Sequence, residues 1–111
     1  MKYMLLLFDE RTASDLTPAE GAAWLAFREG AGKDAIEIAG QALEPALTAT
    51  VVTVRDGKRL TTDGPFVETK EQLGGFFVFD CDSFDAALDI AARAPAALTG
   101  HVEVRAVHEV D

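Results

Sequence analysis

The chain has 111 residues, 49% of them hydrophobic and 26% charged, so apolar content alone suffices for one buried core and wholesale disorder is excluded. Ten Lys and Arg against nineteen Asp and Glu give a net charge of -9, which excludes direct nucleic-acid binding through phosphate contacts and disfavours an anionic membrane surface. One cysteine, Cys81, makes neither an intrachain disulfide nor a cysteine-rich zinc site.

These limits predict a single domain over residues 1–111, a cytoplasmic location, and neither a metal nor a cofactor. Residues 2–8 form a nearly unbroken apolar run, the pattern of a central strand covered on both faces. The run stops at Asp9-Glu10-Arg11 with no small-residue cleavage site, so it does not read as a secretion signal. Thr17-Pro18-Ala19-Glu20 combines an N-cap, a first-turn proline and a glutamate at the third position, which starts a helix at about Pro18. Ala23, Trp24, Phe27 and Ala31 give that helix an apolar stripe, and Gly30 and Gly32 weaken its far end.

Ile36 and Ile38 alternate with Glu37, which predicts a short strand over 36–43, with continuation of the helix as the alternative. Residues 48–55 are rich in β-branched side chains, Asp56-Gly57 is a two-residue turn signal, and 58–62 return as the second arm of a hairpin. Asp63-Gly64-Pro65 forces another turn. Thr69 and Gln72 have capping-box spacing, which predicts a helical turn ended by Gly74-Gly75. Residues 75–80 read as an aromatic strand. Asp82 and Ser83 cap a second helix with Phe84, Ala87, Leu88 and Ala91 on one face, ended by Pro95, and 102–107 form the last strand.

This order predicts an α+β, ferredoxin-like βαββαβ sheet with an extra β-hairpin and both helices on one face. The other face is then apolar and uncovered, and large exposed apolar patches are rare on stable monomers. A homodimer follows as the expectation.

Asp63-Gly64-Pro65-Phe66, the run Glu68-Thr69-Lys70-Glu71-Gln72-Leu73-Gly74-Gly75-Phe76, and Val102-Glu103-Val104-Arg105 together carry a family resemblance. Met1-Lys2-Tyr3-Met4-Leu5, Gly40-Gln41-Ala42-Leu43 with Pro45, and Arg55-Asp56-Gly57-Lys58 extend it along the whole chain. The sequence resembles the YCII-related family, in its DGPF-domain branch. The resemblance implies a ferredoxin-like fold paired into a dimeric α/β barrel, with a cleft between or beside the sheets. It also implies a link to transcriptional regulation, since some members neighbour alternative sigma factors. A histidine-aspartate pair is proposed as catalytic in the YCII branch. Here the only histidines, His101 and His108, flank the last strand, so that assignment does not transfer.

Asp63 either projects a carboxylate into a cleft as a general base or cation ligand, or caps its own turn. Glu68, Lys70 and Glu71 form either a ligand-orienting rim, with Lys70 meeting an anion, or a solvated turn. In the last strand, period two sends Val102, Val104 and Ala106 to the helix side and Glu103 and Arg105 to the helix-free side. There Glu103 and Arg105 make an interface ion pair, or Arg105 holds a ligand anion in its bidentate fork. His101 and His108 read as exposed strand-end residues, and the acidic neighbours of Cys81 disfavour a reactive thiolate. Three functions stay open: binding of an unidentified small molecule in an inter-sheet cleft, acid-base catalysis by the weak candidates Asp63 or Glu68, and service as a protein-interaction module with a protein partner.

Overall fold

The computed structural model describes residues 1–110. In chain order it runs β1 (Lys2–Asp9), α1 (Pro18–Ala31), β2 (Ile36–Ala42), β3 (Thr50–Arg55), β4 (Lys58–Asp63), β5 (Gln72–Asp80), α2 (Phe84–Arg93), α3 (Ala96–Thr99) and β6 (His101–Ala106). Short 3-10 turns lie at Ala13–Asp15 and Ala46–Thr48. The main sheet has the order β2-β5-β1-β6, antiparallel at every pair. With its helices, it is an α+β fold of the ferredoxin-like type, carrying β3 and β4 as a separate two-stranded insertion. The four-stranded sheet of one chain is open, with β2 and β6 at its edges.

Local chemistry explains most of the boundaries. The Thr17 side chain accepts from the Glu20 amide at 3.2 Å, and the Glu20 carboxylate accepts from the Thr17 amide at 3.1 Å, which completes the expected capping box of α1. The Ser83 hydroxyl accepts from the Ala86 amide at 3.1 Å and starts α2. Asp56 and Gly57 both adopt positive φ, 52° and 74°, as the tight turn between β3 and β4 requires.

Side chains of Tyr3, Leu5, Phe77 and Phe79 point to the helix side and are buried with Phe27 and Ala31 of α1 and Ala87, Ile90 and Ala91 of α2. Val102 and Val104 pack against the same cluster, which places them on the face the alternation of β6 predicts. The α2 stripe is met at Ala87 and Ala91, which are buried, and differs at Phe84 and Leu88, which are exposed while Ile90 is buried in their place. Phe84 instead rests its ring 5.7 Å from Tyr3.

The capping box expected at Thr69 and Gln72 is absent, since no helical turn forms there and Gln72 opens β5. Its amide is used tertiarily. Oε1 accepts from the Ala46 amide at 2.6 Å and Nε2 donates to the Glu10 carbonyl at 3.0 Å, while the Thr69 hydroxyl donates to the Glu71 carbonyl. Gly74 and Gly75 lie within β5 rather than ending a turn.

On the other face no helix covers Met4, Leu6 and Phe8 of β1. Phe76 and Val78 of β5 stand beside Leu6 and Met4, and Glu103, Arg105 and His101 of β6 stand on the opposite flank. The coverage of β1 on both faces that its apolar run predicts is therefore met on one side only within a single chain. No helix among the described residues is long and apolar enough to cross a membrane.

Candidate functional site

The best-formed cavity, of about 500 Å³, lies on the helix side at one end of the sheet, between α1, the β1–α1 connection and the facing strands β2 and β5. Leu7, Trp24 and Phe77 give it apolar walls, with the Trp24 and Phe77 rings stacked at 6.2 Å and 27°. Glycines keep its floor free of side chains. A Cβ at Gly40 would stand 2.6 Å from the Phe77 ring, and one at Gly75 would stand 2.8 Å from the Gln41 carbonyl oxygen. Only bare backbone lets β2 approach β5 this closely.

Charge is concentrated at the rim. Arg11 lies 2.6 Å from Glu20, the same carboxylate that caps α1, and 3.9 Å from Asp9. Arg28 grips Glu37 of β2 through two hydrogen bonds, at 3.0 and 2.8 Å, with its guanidinium 5.8 Å from the centre of the Phe77 ring. The Glu20 carboxyl is held below the usual range, first by the Thr17 amide and then by Arg11. Burial alone would push the Asp9 carboxyl up, but the Thr99 hydroxyl, the Arg11 amide and the Arg11 charge outweigh it and hold the carboxyl below its ordinary value of 3.8. Asp9 is thus an ionised acceptor or counter-charge at neutral pH, and a weak base for proton abstraction.

A carboxyl whose folded value is depressed stabilises the fold above its unfolded value, and that contribution is lost as pH falls through the folded value. Thr99→Val is therefore expected to raise the Asp9 midpoint in a carboxyl-carbon NMR titration. Its destabilisation, about 1 kcal/mol at neutral pH, shrinks on acidification below the ordinary carboxylate range. An unmoved midpoint would refute this account of Asp9.

The sequence-predicted residues lie elsewhere. Asp63 is exposed at the end of β4, before Gly64, whose φ of 95° makes the turn and whose amide donates to the Ala49 carbonyl at 2.7 Å. Glu68 borders a second, shallower groove of about 930 Å³ between segments 43–49 and 65–73. Lys70 pairs with Glu10 at 3.2 Å with its side chain 85% exposed, a geometry worth little in water. Glu103 and Arg105 lie on the helix-free face opposite Leu6 and Met4. The fold brings none of Asp63, Lys70, Glu103 or Arg105 to the lining of either cavity. His101 Nδ1 lies 2.6 Å from Glu71 Oε2, a partner thirty residues away in sequence. Cys81 is buried, and burial pushes its thiol up, which fits an unreactive packing residue.

Asp9, Arg11, Trp24 and Arg28 were not singled out as a site in the sequence. The abrupt change from apolar to charged at Asp9-Glu10-Arg11 was a usable signal, because the end of a central strand is where side chains meet a cleft. Convergence with α1 and β2 is long-range and left no local trace.

A family model described as YCII-related domain matches residues 1–111. A curated protein of Rhizobium meliloti (strain 1021), described as uncharacterized, is 46% identical over 65 residues, a segment covering 57% of this chain and 52% of that protein. The matched stretch thus spans about half the length of this relative.

Proposed function

Since the chain belongs to the YCII-related family over residues 1–111, we propose that it works as a homodimer binding a small organic molecule in the cleft between α1 and the sheet. The observation that carries this reading is the cavity of about 500 Å³ with aromatic walls and a charged rim, within the span of about 300–1,000 Å³ typical of small-molecule sites. Trp24 and Phe77 suit a planar or aliphatic body. The guanidiniums of Arg11 and Arg28 are already neutralised by Glu20 and Glu37, so an anionic group on the ligand must compete with those carboxylates. The cleft foreseen from sequence lay between two sheets; the one that supports binding lies within a single chain.

Pairing is supported by the helix-free face. Met4, Leu6, Phe8, Phe76 and Val78 form an apolar stripe across the two central strands, and stacking two such faces about 10 Å apart buries both. Glu103 and Arg105 then border the inter-sheet space, where Arg105 is the group to meet an anion or the partner's carboxylate.

Trp24 is the only tryptophan, so its fluorescence reports on the cleft alone. Titration with small aromatic and aliphatic acids is expected to give a saturable change in that signal. Gly21 lines the cleft on the first turn of α1, with nothing within 4 Å of where its Cβ would stand. Gly21→Phe is expected to weaken the titrated response about tenfold while leaving the fold intact, since phenylalanine has a higher helix propensity than glycine. Absence of any saturable response across the series would sink the cleft as a binding site.

A further inference from the structure

The β3–β4 hairpin forms a sheet of its own, apart from the four-stranded one. An isolated two-stranded hairpin is marginally stable in water and needs a surface to lie on. Yet Val52, Val54 and Leu60 are 56%, 59% and 52% exposed. Cross-strand register puts Val52 and Val54 on one face of the ribbon with Thr61 and Arg59. The projection shows in the radius of gyration, 15.8 Å, against about 13 Å for a compact domain near this length.

Charge identifies what the hairpin meets. Its tip carries Arg55, Lys58 and Arg59 against Asp56, a local charge of +2, which leaves -11 on the rest of a chain whose total is -9. The tip and the body of another copy are therefore electrostatically complementary. At its root the hairpin borders the shallow groove through Val51, beside Leu47, Phe66, Val67 and Phe8 of the helix-free face. Alternation along β3 turns Val52 and Val54 to the opposite face of the ribbon, so one face lies toward the chain's own body and the other is left uncovered.

We propose that the β3–β4 hairpin is an arm that clasps a second copy of this chain, laying Val52 and Val54 on that copy and presenting its basic tip to that copy's acidic surface. The clasp is reciprocal in a twofold dimer, so the same contact is made twice per assembly, once by each arm. It rests on the pairing proposed above and is independent of the ligand cleft.

Sedimentation equilibrium of the full chain, at low and high salt, tests it. The charge-reversed variant Arg55→Glu/Lys58→Glu/Arg59→Glu is expected to dissociate about tenfold more readily than the parent at low salt, and to lose the parent's weakening by salt. A second readout needs no variant. Trypsin cuts at Arg55, Lys58 and Arg59, and cleavage there is expected to slow as protein concentration rises through the dimer dissociation constant. A dissociation constant unchanged by charge reversal together with concentration-independent cleavage overturns the arm. If the parent still dimerises in that case, pairing through the sheet face stands without it; a monomeric parent removes both.

Discussion

Phe79→Ala is expected to cost about 3–5 kcal/mol of folding stability, the largest single-residue effect in the chain. Phe79 is fully buried at an inner strand of the sheet. Its ring stacks on Phe77 at 5.5 Å and meets Phe27 of α1 edge-on at 6.3 Å, so truncation opens a void between sheet and helix and removes two aromatic contacts. Neighbouring rings are held by their own packing and collapse into the void only partly. Against a total of about 5–15 kcal/mol for a domain, the variant should unfold at markedly lower urea. Phe84→Ala is the control, because that ring is 49% exposed, and its cost should be about 1 kcal/mol. Equal midpoints for the two variants would show that Phe79 does not sit at the centre of the core.

Leu6→Asp is expected to leave the chain folded and make it monomeric, raising the dimer dissociation constant by about a hundredfold or more. Leu6 stands at the middle of the helix-free stripe, with Phe76 on one flank and Glu103 on the other. In a lone chain the new carboxylate reaches water, so its folding penalty is small. In a face-to-face dimer it is taken out of water directly opposite Glu103, with Arg105 only on the diagonal, a loss of about 3 kcal/mol, which corresponds to about a hundredfold in affinity. Light scattering and sedimentation read the mass directly, and far-UV circular dichroism verifies the fold. A dimer as tight as the parent would remove the sheet face from the interface.

The elements most legible in the sequence were those with local causes. Thr17 and Glu20 close a loop of three residues, Asp56-Gly57 is the whole turn of its hairpin, and the alternation of Val102 to Arg105 fixes two faces without reference to anything else. The strand-helix order was enough for the ferredoxin-like arrangement. The same local logic misled at Thr69 and Gln72, where capping-box spacing coincides with the start of the pairing between the two inner strands, Gln72 opposite Asp9. Gln72 finds better partners in Ala46 and Glu10, 26 and 62 residues away. The stripe of α2 was legible by half: Ala87 and Ala91 are buried as expected, whereas Phe84 and Leu88 stay exposed and Ile90 takes the core position, a rotation of the helix that its own sequence does not settle. The cleft was illegible for a related reason. Its walls come from α1, β1, β2 and β5, and its depth depends on two glycines whose missing side chains matter only across strands.

Gln72 has one more consequence. No ladder hydrogen bond links the two sheets, and the chain between them is irregular, which would ordinarily leave the hairpin free to swing. A single side-chain amide, however, fastens the segment at Ala46 and the exit of β1 at the same point. The hairpin therefore inherits its bearing from the central sheet, as a boom takes its direction from the mast to which it is stepped.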